Sequence, residues 1–480
     1  MIIGDIVPHR HLARDVRGLA VKGICEDSRL IKKGDIFFAK ERKKFDIFSV
    51  VKKVENDAVA FVADAKNKKR LDRLIKRKPV IYVKDVQKEF YHAVDRFYAF
   101  NTNDFIFIGV TGTNGKTTTT SLVYYLLKEL GQNVSLIGTV KYYIGKHAYC
   151  ADYTTPGYLK LREIFRKVKR EKIRFVVMEV SSHGLQQERI IGINFARCVF
   201  TNLSRDHLDY HKTMKSYFNA KKRLFMQNKE ALSIINVDDI YGRRLLGNLK
   251  NIRSYGITHP SDFRACNIQW SKKKSTFRLI HNGRNLAVET KLYGRHNILN
   301  ILAAITTVHS LGFSLKKICK AIPSFDGVEG RLQGVGPGIF VDYAHTPDAL
   351  KAVLLTLRNV GYERIICVFG CGGNRDKGKR KLMGAIAGRY ATFSFITSDN
   401  PRTESALKIA HQIEEGFKGR NFSIILNRKK AIAEALKRKH KHKNCCLIIA
   451  GKGHEEYQII GSRKMVFKDS KVAKQLLKRH

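Results

Sequence analysis

Apolar residues along the chain fall into short blocks, and one block organises the reading of the rest. From Phe105 the sequence runs Phe-Ile-Phe-Ile-Gly-Val to Val110, an apolar stretch of strand length, and leads directly into TGTNGKTTTT. Behind that turn Leu122, Val123, Leu126, Leu127 and Leu130 recur at the spacing of one helix face. The pattern predicts strand, loop and helix in succession. Further strand-length runs stand at 175–180, 198–201, 233–236 and 339–343, with helical stretches between most of them, so a parallel, doubly wound sheet is expected. Before this region, Val59-Ala60-Phe61-Val62 and Val80-Ile81-Tyr82-Val83 lie among basic helical stretches and mark a small α/β unit. After it, runs at 365–369, 393–397, 423–426 and 447–450 alternate with amphipathic helices. The expected organisation is α/β throughout, in three domains over 1–98, 99–326 and 327–480, with no internal repeat.

Composition narrows the class. The 480 residues are 44% hydrophobic and 28% charged, which excludes a disordered or collagen-like chain. The charge balance is unusual: 90 Lys and Arg against 42 Asp and Glu give a net +48. Such a balance attracts polyanions, but a nucleic-acid protein concentrates its charge on one arm or face. Here the basic residues run from Arg10 to Arg479 with only short clusters, at 66–70 and 437–443, so no specific nucleic-acid partner is expected. Nine cysteines include no CxxC, and the opening MIIGDIVPHR has no apolar signal core. Free thiols in a reducing cytoplasm are expected, and no apolar stretch is long enough for membrane insertion.

The turn after Val110 carries the first chemistry. In Gly112-Thr113-Asn114-Gly115-Lys116-Thr117 the glycines let backbone amides face phosphate oxygens. Lys116 reaches the terminal phosphates of a nucleoside triphosphate, and the Thr117 hydroxyl can ligate Mg²⁺. The following helix, with Thr118 in its first turn, adds its positive dipole end. The spacing departs from GxxxxGK[ST], because Val110 stands where the first glycine would be. Two acidic or imidazole candidates follow other strands. Glu179 ends one, where parallel sheets bind ligands, and is placed to hold Mg²⁺ beside the phosphates. Asn202-Leu203-Ser204-Arg205-Asp206-His207-Leu208-Asp209-Tyr210-His211 follows another, with two His and two Asp that could bind metal or simply hydrogen-bond to backbone.

Together with MEVSSHGL, YFNAKKRLF, GRHNILNILAA, VEGRLQ, VDYAHTPDAL, VFGCGGNRDKGKR, SDNPRTE and AGKGHEEYQ, these segments resemble the Mur ligases, most closely their MurE branch. They occur in order from about Asp27 to Asp469. The resemblance implies an N-terminal UDP-binding domain, a central ATPase domain of P-loop type and a C-terminal Rossmann-like domain. It implies ATP-dependent amide formation through an acyl phosphate on UDP-N-acetylmuramoyl-L-alanyl-D-glutamate, by a monomeric cytoplasmic enzyme of peptidoglycan precursor synthesis. Lys116, His207 and Lys221, the last matching a carbamylated lysine, carry the catalysis, with Mg²⁺ held by Thr117, Glu179, His207 and Lys221. Asn297, Arg331 and Asp342 match further ATP contacts. Glu26 and Ser28 match the uridine side, and Thr154, Thr155, Ser182, Gln187 and Arg189 the muramoyl-dipeptide.

The same resemblance assigns the incoming amino acid. Asp399-Asn400-Pro401-Arg402 matches the DNPR motif of members that add meso-2,6-diaminopimelate, whose distal carboxylate suits a guanidinium fork where lysine offers nothing. Arg375, Gly451 and Glu455 match the remaining contacts, Glu455 being suited to the distal ammonium. The chain departs from the family at residues 40–47, KERKKFDI, where a glycine-containing loop is usual, and at Tyr153, His296 and Asn374.

Overall fold

The structure is a computed structural model that describes residues 1–7, 12–41 and 46–478. Its contacts group the chain into two compact units. One comprises 1–104, 156–172 and 189–192, the other 105–155, 173–188 and 193–480.

The first unit is built on four parallel strands in the order Gly23–Cys25, Asp35–Ala39, Ala58–Asp64 and Val80–Val83. Successive side chains point to opposite faces, and both faces are covered, as a parallel sheet requires. Phe38, Ala60 and Val62 pack with Phe90, Ala93 and Val94 of helix Val86–Phe97. Phe37, Phe61 and Ala63 pack on the other side with Val51 and Val54. Helix Tyr158–Arg170 belongs to this unit, although its sequence lies within the expected central domain. The cause is a buried charge. Arg162 has no exposed surface; it donates from Nε to Asp95 Oδ1 (2.7 Å) and from Nη2 to the Ile191 carbonyl (2.7 Å), and it lies 4.0 Å from the rings of both Phe100 and Tyr158.

The second unit holds an eleven-stranded sheet and a six-stranded sheet. The larger one is parallel through Val134–Ile137, Phe175–Glu179, Ile106–Thr111, Phe195–Phe200, Leu232–Asn236 and Ile252–Gly256. Strand Phe263–Trp270 joins this parallel series, so the expected parallel, doubly wound sheet forms the centre, and antiparallel hairpins extend it at both edges. Ser275–His281 folds back antiparallel to Phe263–Trp270 and Arg284–Thr290 antiparallel to Ser275–His281; at the opposite edge Lys141–Ile144 runs antiparallel to Val134–Ile137 and His147–Cys150 antiparallel to Lys141–Ile144. The physical reason is local. Ser275, Phe277, Leu279 and His281 alternate inward with outward Arg278 and Ile280, and Asn282 (φ 46°) with Gly283 (φ 71°) makes the two-residue turn such hairpins favour. Helices Lys116–Glu129 and Arg295–Ser310 close the core over the central strands.

The smaller sheet orders Ile339–Asp342, Cys445–Ala450, Arg364–Phe369, Phe393–Ile396 and Phe422–Ile424 in parallel, with Gln333–Gly336 antiparallel at one edge. One face carries helices Pro347–Asn359 and Gly378–Tyr390, the other Arg428–His440 and Asp469–Leu477. The last helix is pinned by a fully buried pair: Arg428 donates from Nε and Nη2 to both oxygens of Asp469 (2.8 and 2.7 Å) and from Nη2 to the Ala450 carbonyl (3.0 Å). A separate hairpin pairs Tyr457–Ile460 with Arg463–Val466. Among the described residues no helix is long and apolar enough to cross a membrane.

Candidate active site

The ends of the parallel strands in the second unit deliver the side chains singled out above. Strand Ile106–Thr111 runs into the phosphate loop, whose Gly115 has φ 86°; a Cβ there would lie 2.3 Å from Asn300 Oδ1, so only glycine fits. The segment after strand Phe195–Phe200 underpins the loop. Thr113 N donates to the Asn202 carbonyl (2.8 Å), Asn114 N to Asn202 Oδ1 (2.9 Å), and Thr201 Oγ1 to the Asn114 carbonyl (2.6 Å).

Two lysines converge on one carbonyl of that loop. Lys116 Nζ donates to Gly112 O and Thr113 O, both at 2.9 Å, and Lys221 Nζ donates to Gly112 O at 2.6 Å. Lys221 is 1% exposed. Burial, and then the charge of Lys116 beside it, push its ammonium well below the usual lysine range. Burial lowers Lys116 as well. An amine so placed favours its neutral form, the form that can capture CO₂.

Glu179 turns its carboxylate toward the first residues of the loop helix. Thr117 Oγ1 donates to Oε2 (3.2 Å), Thr139 N to Oε1 (2.7 Å) and Thr139 Oγ1 to Oε2 (3.0 Å). Arg331, from the far part of the chain, donates from Nη2 to Thr117 Oγ1 (3.0 Å) and lies 4.4 Å from the Tyr343 ring. Asp206 receives the His207 amide (2.9 Å) and faces Nε2 of His207 (3.4 Å) and of His345 (3.5 Å). Burial works to raise its pKa, yet the facing His345 holds its carboxyl well below the usual range. Burial pushes His207 down to about 3, so its imidazole is neutral near pH 7 and able to ligate or accept.

A cavity of about 600 Å³ is lined by every expected nucleotide residue except Gly112, including Thr118, Asn297, Arg331 and Asp342, together with Glu179 and His207. Lys221 lies behind the Gly112 carbonyl rather than on its wall. Asp342 is already engaged, receiving Leu332 N (2.5 Å) and Ala344 N (2.7 Å), and Asn297 donates to the Tyr293 carbonyl (2.8 Å).

A second cavity of about 750 Å³ adjoins the first, and Thr139, Thr154, Asp206, His207, Tyr343 and His345 line both. Its other walls carry Arg375, Asp399, Asn400, Arg402, Gly451 and Glu455, so all the residues expected to hold diaminopimelate line it except Pro401. Arg402 has φ 54° and donates from Nη1 to Gly373 O (2.8 Å). Asn400 is a hub: its Oδ1 accepts from Ile459 N (2.9 Å) and Lys452 Nζ (3.1 Å), and its Nδ2 donates to Glu455 Oε2 (2.9 Å).

Three residues here were missed by sequence reasoning. Lys452, with no exposed surface, also reaches Glu455 Oε2 (3.1 Å). Arg380, equally buried, donates from Nη1 (2.9 Å) and Nη2 (3.1 Å) to the two oxygens of Glu404, which also receives the Asn374 amide. Lys452, Glu404 and Arg380 all stand inside the quoted segments AGKGHEEYQ, SDNPRTE and VFGCGGNRDKGKR, so the signal was membership of a motif.

The muramoyl-side residues are divided. In the second unit Thr154 Oγ1 lies 3.0 Å from Thr139 Oγ1 and lines both cavities. Thr155 is fully buried, donating to the Glu179 carbonyl (2.8 Å) and accepting from Ser181 N (2.9 Å); Ser182 Oγ lies 2.9 Å from His211 Nε2. Thr155 ties the local backbone together, Ser182 holds the His211 ring, and neither lines either cavity. Gln187 is exposed, with Nε2 3.5 Å from Tyr210 OH. Glu26, Ser28 and Arg189 belong to the first unit, where Glu26 is ion-paired with Lys40, whose ammonium lies 3.7 Å from the Phe90 ring. Residues 42–45 of the divergent loop lie outside the described residues.

Among the described residues no three His, Cys, Asp or Glu form a metal cluster. Mg²⁺ does not ask for one, being bound through one or two carboxylates with waters and substrate phosphates. The Thr117–Glu179 pair facing the phosphate loop fits that pattern.

Known proteins share this arrangement. Residues 110–308 match the Mur ligase middle domain, and 330–453 the Mur ligase, glutamate ligase domain. A protein of Caldanaerobacter subterraneus subsp. tengcongensis, named UDP-N-acetylmuramoyl-L-alanyl-D-glutamate–2,6-diaminopimelate ligase, is 37% identical over 98% of this chain and 97% of its own. One of Syntrophomonas wolfei subsp. wolfei with the same name is 38% identical over 95% of each. A solved structure of a ligase of that name superposes with a TM-score of 0.68, at 30% identity, over 100% of this chain and 99% of its own. Likeness of this extent, running through both cavities and the loops that line them, is common descent: the chain belongs to the Mur ligase family.

Proposed function

We propose that the chain joins meso-2,6-diaminopimelate to UDP-N-acetylmuramoyl-L-alanyl-D-glutamate at the expense of ATP, as a cytoplasmic monomer in peptidoglycan precursor synthesis. The observation that carries the reading is the meeting of two cavities at Asp206 and His207, one walled by the phosphate loop and the other by Arg402 and Glu455. The full-length relatives named for this reaction support it.

In the first step a substrate carboxylate oxygen attacks the γ-phosphorus, the bond to the bridging oxygen breaks, and ADP leaves with the electron pair. Such a step is positioning and charge neutralisation. Lys116 and Arg331 supply fixed cations at the phosphate end, and loop amides hold the phosphates. Addition of CO₂ to the neutral Lys221 amine, with loss of a proton, gives an anionic carbamate. Thr117, Glu179, His207 and that carbamate would hold Mg²⁺, which would supply charge neutralisation at the phosphate oxygens. In the second step the amine of diaminopimelate attacks the acyl carbon, and a tetrahedral intermediate collapses with loss of phosphate.

Arg402 and Arg375 receive the distal carboxylate, and Glu455, steadied by Lys452 and Asn400, the distal ammonium. A site built for a carboxylate rejects lysine because the guanidinium is left unpaired. Glu26 and Ser28 bind the uridine side, and Thr154, Gln187 and Arg189 the muramoyl-dipeptide. Thr155 and Ser182 shape that site from beneath.

The test is phosphate release from ATP with the muramoyl-dipeptide nucleotide, comparing meso-diaminopimelate with L-lysine. Release with diaminopimelate alone is expected. Release with lysine at a similar rate overturns the assignment of the amino acid, and release with neither overturns the reaction.

A further inference from the structure

The strand Tyr457–Ile460 belongs to neither large sheet, yet it holds most of the segment 398–402. Gln458 is 6% exposed, and its Nε2 donates to the Asp399 carbonyl (2.8 Å) and the Ser398 carbonyl (3.3 Å). Both partners are carbonyl oxygens, which only the NH₂ end of the amide can satisfy, so the orientation of the side chain is fixed. The next residue continues the grip. Ile459 N donates to Asn400 Oδ1 (2.9 Å), and Arg402 N donates to Ile459 O (3.1 Å). Gly461 N then donates to Arg402 O (2.7 Å). Apart from its bridge to Arg402, the strand pairs with Arg463–Val466 in a two-stranded hairpin, and such a hairpin alone is marginal in water. Hairpin and loop therefore hold each other. What the loop needs holding for is visible at Arg402, whose φ of 54° is one that a non-glycine residue keeps only when its surroundings enforce it.

We infer that Gln458 is a positioning residue for recognition of the distal carboxylate: by gripping the Ser398 and Asp399 carbonyls it sets the entry to the turn that aims Arg402. It touches no substrate and acts through Arg402. The inference rests on the proposed function, since it names how that site is kept selective.

Gln458→Met keeps the length and bulk of the side chain and removes its donor. Kinetics of the full chain, with ATP and the muramoyl-dipeptide nucleotide, should show the KM for meso-diaminopimelate raised roughly 10- to 100-fold, the scale of loss when a binding group is misplaced by about 1 Å. The KM for ATP and the kcat should stay within about twofold. The preference for diaminopimelate over L-lysine should fall, and it should fall no further when Gln458→Met is added to Arg402→Ala. A purely structural role would instead lower the unfolding temperature and kcat while leaving that preference intact, and this outcome overturns the inference. Should the Met variant fail to fold, Gln458→Asn, whose shorter amide reaches only one carbonyl, carries the same test with a smaller expected loss; unchanged preference there overturns the inference too. A wild-type chain that uses lysine equally, or neither amino acid, overturns the proposed function and this inference with it. A selective wild type with equally selective variants overturns the inference alone.

Discussion

The two loops that wall the cavities adjoining at His207 are held by different means. The phosphate loop is fastened along its own main chain, by amides and carbonyls paired with Thr201 and Asn202 and by a glycine conformation that leaves no room for a Cβ. The 399–402 loop is fastened by side chains reaching in from elsewhere: Arg380 through Glu404, Lys452 through Asn400, and Gln458. Phosphate is the same in every nucleotide, and backbone dipoles suffice to bind it. The choice between two amino acids that differ by one carboxylate requires a guanidinium aimed in one direction, and a buried side-chain network supplies that aim. The first loop therefore depends most on its own glycine and lysine, the second also on buried side chains outside it.

The comparison can be broken most directly at Lys116. Lys116→Ala should lower turnover by about 1,000-fold or more, the scale of losing a fixed cation at a transferring phosphoryl group. Phosphate release near the wild-type rate would remove the nucleotide role from this loop. Arg402→Ala should lower kcat/KM for diaminopimelate by about 100-fold, as loss of a bidentate charge pair predicts, with ATP affinity by calorimetry unchanged. Weakened ATP binding in this variant would show that the two loops are not independent.

Glu404→Gln addresses the loop's outer support. It leaves Arg380 buried without its carboxylate, at a cost of about 3–5 kcal/mol in stability, measurable by urea unfolding. The effect has a pH signature. The Arg380 guanidinium draws the Glu404 carboxyl down to about 2 from its ordinary 4.5. A depressed carboxyl contributes stability that is fully present above about 4.5 and is lost as the pH falls toward about 2. The gap between wild type and variant should thus narrow between neutral pH and pH about 3; a constant gap would assign the loss to packing instead. The smallest effect is expected at the edge hairpin. Gly283→Ala meets no neighbouring atom but must adopt φ 71°, so about 1 kcal/mol should be lost with no change in kinetics.

The parts of the fold legible in the sequence were those written locally. Buried parallel strands such as Ile106–Thr111, apolar up to its last residue, and Cys445–Ala450 stand out as apolar runs, and the phosphate loop announces itself by its glycines and lysine. The antiparallel edge was legible in principle, from Asn282-Gly283 and the alternation before it, but polar Ser275, Thr276, Arg278 and His281 break up any apolar run there. Helix Tyr158–Arg170 was misplaced because its allegiance depends on Arg162 meeting Asp95, 67 residues away. The same limit applies to the candidate site. Arg402 can be named from its motif, whereas Lys452, Arg380 and Gln458 matter through partners that only the folded chain brings near. Thr155 shows the converse: a motif position whose hydroxyl the fold uses up internally.

The terminal helix Asp469–Leu477 has little in its sequence to mark it as indispensable. Yet among the described residues Asp469 is the one carboxylate bonded to Arg428, and Arg428 also holds the carbonyl of Ala450, the residue that leads into Gly451 and Lys452. A protease nick beyond Lys468, a shortened expression variant, or a fusion partner that pulled this helix away would strand a guanidinium directly beneath the amino-acid seat. Engineering of this chain should leave that end alone and place its tags on the other.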